Sequence, residues 1–240
     1  MGLAANKMEK NMTQQKIKPE FILIDLDGTL IDSVPDLAYC VDEMMKQLNL
    51  PTRGEAAVRD WVGNGVQRLV ERALVNSVEG MPEASLMDQA YPIFLDLYQV
   101  NTSQRSRVYD GVVEGIEWMK AQGYGVSCVT NKAEAFTVPL LKDKGLYDYF
   151  EVVVSGDTCA EKKPHPMPLL YAAEKLGIAP ENALMIGDSQ SDVKAARAAG
   201  FDIFCMTYGY NHGEDIRNYQ PDAVMDSFME LPDYLAAKSF

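Results

Sequence analysis

Cysteine is scarce in this chain: four in 240 residues, at positions 40, 128, 159 and 205, with no Cys-x-x-Cys and no Cys/His ligand spacing. That excludes a cysteine-based metal site or a disulfide framework. Cys128 lies in an apolar run and reads as a buried reduced thiol, which suits a reducing cytosol. Positive charge is short as well: 22 Lys and Arg stand against 35 Asp and Glu, a net charge of −13. A chain this acidic is a poor match for nucleic acid or an anionic membrane. The same field repels anionic substrates, so a site for one needs a local cation or a metal. No apolar run approaches the length of a membrane span. Residues 1–18 are polar and charged without the apolar region of a signal peptide, and they read as a flexible leader. Internal repeats, low-complexity tracts, a Gly-x-Gly-x-x-Gly dinucleotide fingerprint and a Walker-type phosphate loop are also missing.

What is present is an ordinary globular composition, 47% hydrophobic and 24% charged, enough for one large domain or a core with a smaller insert. Strand-like apolar runs lie at 21–24, 125–130, 150–154, 183–186, 202–206 and 223–225. Between several of them lie helical patterns at 112–122, 135–144, 166–176 and 193–199. Gly123, Gly145, Gly177 and Gly200 each follow such a helix, where a left-handed cap is expected. Alternation of this kind, with near-continuous apolar strands, predicts an α/β core: a Rossmann-like parallel sheet covered on both faces. From about 35 to 105 the alternation stops. Segments 35–48, 55–62, 66–76 and 85–99 read as amphipathic helices, an all-helical cap inserted after the first strand. The expected division is a core of 19–34 and 106–240 and a cap of 35–105, with polar hinges at 32–35 and 101–108. Met44, Met45, Tyr91 and Tyr98 read as helix-packing residues of the cap.

In open parallel sheets the reactive groups gather at the C-terminal ends of strands. The run Phe-Ile-Leu-Ile ends in Asp25-Leu26-Asp27-Gly28-Thr29. Two carboxylates at the end of a buried strand are costly unless something positive sits between them. As chemistry, Asp25 is a nucleophile for phosphorus and a metal ligand. Asp27 protonates the leaving oxygen and then deprotonates the attacking water. Gly28 permits close backbone approach. Thr130 and Asn131 end the next strand, where a hydroxyl and helix-opening amides donate to phosphate oxygens, although an ordinary helix cap uses the same residues. Lys163, held in a Lys-Lys-Pro-His-Pro loop, balances phosphoryl charge; His165 reads as a loop residue, because Asp27 already fills the acid–base role. Asp188, at the end of 183–186, completes a Mg²⁺ shell with Asp25 and the backbone carbonyl of Asp27. Asp192 either caps the following helix or holds a metal water or Lys163. In the cap, Gly63, Asn64 and Gly65 suit a loop dipping toward the site. Arg68 has two readings, a bidentate partner for a substrate carboxylate or a helix-surface arginine.

These four pieces occur in order, each after a strand, and together they resemble the haloacid dehalogenase superfamily over about residues 19–235. The helical insert is similar to that superfamily's C1-type cap, whose closure excludes water. A finer resemblance lies in DLDGTLIDSVPDLA (25–38), VGNGVQRLVERAL (62–74), YDGVVEG (109–115), KKPHPMPLL (162–170), GDSQSDVKAARAAG (187–200) and YGYNHG (208–213) with PDAVMDS (221–227). These runs look like the bacterial phosphoglycolate phosphatases. That resemblance implies a Mg²⁺-dependent hydrolase acting through an aspartyl-phosphate, with 2-phosphoglycolate as substrate. It also implies a small phosphorylated metabolite as partner, no nucleic acid or membrane, a cytoplasmic setting and a monomer or homodimer. The rivals are a phosphatase for a sugar phosphate or nucleotide, a phosphomutase like β-phosphoglucomutase, a dehalogenase, and a non-catalytic binding protein. A dehalogenase needs neither Asp27 nor Mg²⁺, and the presence of every expected catalytic group speaks against a mere binder.

Overall fold

A computed structural model of the chain describes residues 18–235; the leader expected over 1–18 thus lies outside the described residues except for Lys18. The chain enters at β1 (Phe21–Ile24) and turns into the short β2 (Ile31–Asp32). Four helices follow: α1 (Val34–Gln47), α2 (Glu55–Trp61), α3 (Val66–Val75) and α4 (Ala84–Val100). The chain then returns through β3 (Arg107–Val108), α5 (Val112–Ala121), β4 (Gly125–Val129), α6 (Glu134–Asp143), β5 (Val153–Val154) and α7 (Met167–Leu176). It ends with β6 (Ala183–Gly187), α8 (Gln190–Ala199), β7 (Asp202–Met206), β8 (Ala223–Met225) and α9 (Leu231–Tyr234).

Six strands form one parallel sheet in the order β5-β4-β1-β6-β7-β8. The unbroken apolar strands have a direct cause. On β1, Ile22 and Ile24 enter one hydrophobic core while Leu23, pointing the other way, enters a second. The same split holds on β6, with Leu184 and Ile186 against Met185, and on β7, with Phe204 and Met206 against Ile203 and Cys205. Both faces are covered, by α5 and α6 on one side and α7 and α8 on the other, so alternation with polar residues is absent. The four cysteines are unpaired thiols, three of them buried. Among the described residues no helix is long and apolar enough to cross a membrane.

Two details differ from the sequence-based expectation. The run at 150–154 yields only the two residues of β5, because Tyr147–Tyr149 form a 3-10 turn that delivers the chain late to the sheet edge. The expected polar hinges are in part structured. Ile31 pairs with Val108 and Asp32 with Arg107, an antiparallel ribbon that brings the two ends of the insertion together. The insertion buries its own core, including Met44, Met45, Trp61, Leu69, Phe94 and Tyr98. Phe136 and Tyr210 of the sheet domain join that core and seal it onto the sheet.

The return strand is pinned to α1 by Asp36, which is fully buried. Its carboxylate accepts from the Arg105 amide at 2.9 Å, the Ser106 amide at 2.7 Å and the Ser106 hydroxyl at 2.6 Å. Replacing Asp36 by Ala strands these donors in a dry site and is expected to cost about 3 kcal/mol. Urea denaturation of Asp36→Ala beside the parent protein measures it; a loss below about 1 kcal/mol would contradict the account.

Candidate active site

The sheet order places β1 between β4 and β6, strands whose chain connections run to opposite sides, so the crevice at their C-terminal ends is a topological switch point. Asp25 stands there, its amide bonded to the Ile186 carbonyl of β6 at 2.9 Å. A cavity opens above it, lined from the sheet by Asp25, Asp27, Thr130, Asn131 and Lys132 and from the cap by Val62, Gly63, Gly65 and Leu69, among others. Leu26 reverses the chain: its carbonyl accepts from the Leu30 and Ile31 amides, both at 3.0 Å. Gly28 has φ of +87°, and a side chain there would strike Asp188 Oδ2 at 2.4 Å, so glycine is required on two counts.

Lys163 is the electrostatic hub. Its ammonium lies 2.8 Å from Asp25 Oδ1 and 2.8 Å from Asp192 Oδ1, and donates to the Val129 carbonyl at 2.7 Å. Burial disfavours the Lys163 charge, but Asp192 and Asp25 outweigh it and hold the ammonium above the ordinary lysine range. Asp25 is pushed up from 3.8 to about 7: burial is the largest cause, opposed by Lys163 and reinforced by Asp192 and Asp27. Asp188 is also raised well above the ordinary value, by burial first and then by Asp192 and Asp25.

Asp188 is boxed in. It accepts from the Thr29 hydroxyl at 2.6 Å and from the Tyr210 amide at 2.5 Å, and a side chain on Gly209 would meet its Cβ at 2.1 Å. Asp192 plays both roles expected of it. It accepts from the Ser189 hydroxyl at 2.7 Å and the Asp188 and Ser189 amides in a capping box on α8, and it holds Lys163. Carboxylate oxygens of Asp25, Asp188 and Asp192 lie within 4.8 Å of one another, a geometry suited to a metal ion.

Asp27 is held by two residues that sequence reasoning missed. The Ser33 hydroxyl donates to Oδ1 at 2.5 Å, and the Lys132 ammonium donates to both Oδ1 and Oδ2 at 3.0 Å. Lys132 is buried, lies 5.1 Å from the centre of the Tyr98 ring, and is held above the ordinary lysine range by Asp27 in spite of burial. Its signal was its place next to Thr130-Asn131. Tyr210 was missed too: its hydroxyl donates to Asp32 at 2.6 Å and accepts from the Ser33 amide at 3.0 Å.

The remaining expected residues divide. Thr130 and Asn131 both line the cavity, but the Asn131 side chain is committed: it bonds the Lys163 amide and carbonyl at 2.9 and 2.8 Å and reaches the cap at Gly63 O, 3.0 Å away. Gly63 lines the cavity, whereas Asn64 faces a neighbouring crevice with Arg72 and Gln190. The structure does not bring Arg68 to the cavity. Its guanidinium bonds Glu71 at 2.9 Å and the carbonyls of Gly80 and Val78, so it fastens the loop after α3 instead of facing a ligand. His165 is exposed, with Nδ1 accepting from the Met167 amide.

Comparison with known proteins agrees with this geometry. The haloacid dehalogenase-like hydrolase model matches residues 22–206. The chain is 64% identical over 91% of its length to a phosphoglycolate phosphatase of Nitrosococcus oceani, covering 97% of that protein. It is 48% identical over 87% of its length to one of Thiobacillus denitrificans, covering 92% of it. Among solved structures, a predicted phosphoglycolate phosphatase from Haemophilus somnus superposes with a TM-score of 0.85 at 36% identity, over 90% of this chain and 98% of that one.

The raised carboxylates make stability depend on pH. Between about 4 and about 7 the folded, metal-free protein keeps a proton on Asp25 that the unfolded chain has released. Stability from this group therefore falls as pH rises through that window. Asp25→Asn removes the slope and is expected to make the metal-free protein more stable than the parent at pH 8 but not at pH 4. Urea midpoints at the two pH values decide it; a parent protein that gains stability between them by way of Asp25 would refute the assignment.

Proposed function

The chain belongs to the haloacid dehalogenase-like hydrolases, and on that premise we propose that it is a Mg²⁺-dependent phosphoglycolate phosphatase, releasing glycolate and phosphate from 2-phosphoglycolate. Its near-full-length identity to phosphoglycolate phosphatases supports the substrate. The chemistry is supported above all by one arrangement: Asp25, buried at the switch point, bound to Lys163 and followed by Asp27 at the wall of a capped cavity.

The residues fit a divalent cation. Fully ionised, Asp25, Asp27, Asp188 and Asp192 would set four negative charges against the two ammonium groups of Lys132 and Lys163, leaving two for a bound cation to balance. The donors are hard oxygens, the kind Mg²⁺ prefers. Asp25, Asp188 and the Asp27 carbonyl would hold the ion, with Asp192 supporting, since its oxygens already serve Lys163 and the amides of Asp188 and Ser189. Bound there, Mg²⁺ supplies positive charge to the transferring phosphoryl group.

The chain's own residues then do the following. A free Asp25 oxygen attacks phosphorus in line, forming the aspartyl-phosphate as the bond to the glycolate oxygen breaks. Asp27, held facing the cavity by Ser33, gives that oxygen its proton. Water next attacks phosphorus from the side that the glycolate oxygen has left, opposite Asp25, and gives its proton to Asp27, and the Asp25 carboxylate leaves as phosphate is released. Thr130, at the end of β4, faces the phosphoryl oxygens, and Lys163 offsets charge on Asp25 throughout. The cap residues Val62 and Leu69 give the cavity an apolar roof that limits water. The proposed setting is the cytosol, where unpaired thiols persist.

With Mg²⁺, phosphate release from 2-phosphoglycolate is expected to exceed that from hexose phosphates and nucleotides in kcat/KM, with one phosphate per substrate lost. EDTA and Asp25→Asn should each remove activity, the latter by about 10³-fold or more. A flat profile would discard the substrate, and substrate loss without phosphate would favour a phosphomutase.

A further inference from the structure

Lys132 is buried beside the reacting groups, yet the phosphoryl chemistry above does not use it. Among the described residues lining the cavity it is the only cation. Of the other nearby cations, Lys163, Arg68, Arg72 and Arg59 are committed, and Lys162, exposed with its ammonium beside Gly65, is the rival that the control below tests. Lys163 spends its contacts on Asp25, Asp192 and the Val129 carbonyl. Arg68 bonds Glu71 and two loop carbonyls, and Arg72 bonds the carbonyls of Trp61 and Val78. Arg59 is paired with Asp32 and Glu55.

The partner of Lys132 is Asp27, which must face the bridging oxygen of the substrate. In 2-phosphoglycolate one methylene separates that oxygen from the carboxylate. An ammonium 3.0 Å from both Asp27 oxygens is therefore within reach of the substrate's carboxylate once the bridging oxygen is seated. Without such a cation the carboxylate would sit beside several buried acids, at a large cost.

We propose that Lys132 is the specificity-determining residue of this site: on substrate binding its ammonium exchanges Asp27 for the substrate's carboxylate. The inference rests on the proposed 2-phosphoglycolate activity and names the group that selects for it. The exchange leaves no group stranded. Asp27 keeps the Ser33 hydroxyl, and the oxygens given up by Lys132 become free to face the leaving oxygen. The Tyr98 ring beside the ammonium limits the wandering of a long side chain, so little is lost in ordering it. A phosphate ester without a carboxylate leaves Lys132 on Asp27 and forgoes both effects.

The test compares 2-phosphoglycolate with ethyl phosphate, its counterpart lacking the carboxylate, on the Mg²⁺-loaded parent protein, Lys132→Met and Lys132→Arg. The parent is expected to prefer 2-phosphoglycolate. In Lys132→Met, kcat/KM for 2-phosphoglycolate should fall about 100-fold, the value of a charge-assisted hydrogen bond, while ethyl phosphate changes far less. Equal losses on both substrates, or no loss on either, would overturn the proposal, because Lys132 would then act through Asp27 alone or not at all. Should Lys132→Met fail to fold by circular dichroism, Lys132→Arg carries the decision: a raised KM for 2-phosphoglycolate with ethyl phosphate unchanged supports the exchange, and matching changes reject it. A parent protein with no preference would instead refute the substrate reading, and the exchange with it. Lys162→Met serves as control; its exposed ammonium lies by Gly65 at the cap, and the substrate ratio should stay as in the parent.

Discussion

Negative charge held out of water is the constraint on which this structure depends. Four carboxylates converge at the end of one buried strand and its neighbours; two lysines hold three of them, and Thr29 and Tyr210 hold the fourth, Asp188. Isolated, such groups would protonate or unfold the site. Lys163 bridges Asp25 and Asp192, and Lys132 grips Asp27. Burial first, and the neighbouring acids after it, hold Asp25 and Asp188 above the ordinary carboxylate range. Under the proposed function this excess of acids over lysines is useful: a cation and a phosphoryl group bound together would each ease the placement of the other.

A second carboxylate network joins the two lobes. Asp32, on the ribbon between them, accepts from Arg59 of α2 and from Tyr210 of the loop after β7. Burial works against the Asp32 charge, and hydrogen bonds from Tyr210 and Arg59 nonetheless hold its carboxyl below the usual range. The Tyr210 amide meanwhile grips Asp188. One residue thus touches the acid cluster, the hinge ribbon and the cap core. At the opposite rim the Asn131 side chain ties the Lys163 backbone to the cap carbonyl of Gly63. The cap therefore meets the sheet through bonds to the same residues that organise the chemistry.

Much of this was legible in the sequence, and the limits have physical causes. The strands were visible because both faces of the sheet are buried, which makes each an apolar run. The cap helices were visible by their periodicity. The acids at strand ends were visible because each follows such a run directly. The β2–β3 ribbon was not, since two residues per strand carry no pattern. Lys132 and Ser33 stand next to residues that were singled out, but their value lies in contacts across 105 and 6 residues, which no local pattern encodes. Arg68 illustrates the converse. Its nearness in sequence to the Gly63–Gly65 loop suggested a substrate carboxylate as one of its two partners, yet the chain returning at 78–80 supplies the carbonyls that claim it.

The sheet order bears on how the chain is made. β1 emerges first and becomes the central strand, but its partners are β4 and β6, beginning at Gly125 and Ala183. During synthesis this apolar strand waits while the four cap helices, which pack mainly against one another, are made. Antiparallel pairing of Ile31 with Val108 can then bring the two ends of the cap together before any central pairing of the sheet exists. Only when Ala183–Gly187 leaves the ribosome can β1 be enclosed on both edges, and only five residues later, with Asp192, is the acid cluster complete. A nascent chain halted before that point carries a Phe-Ile-Leu-Ile edge without its β6 partner, the kind of apolar edge that pairs with other chains when it is left open.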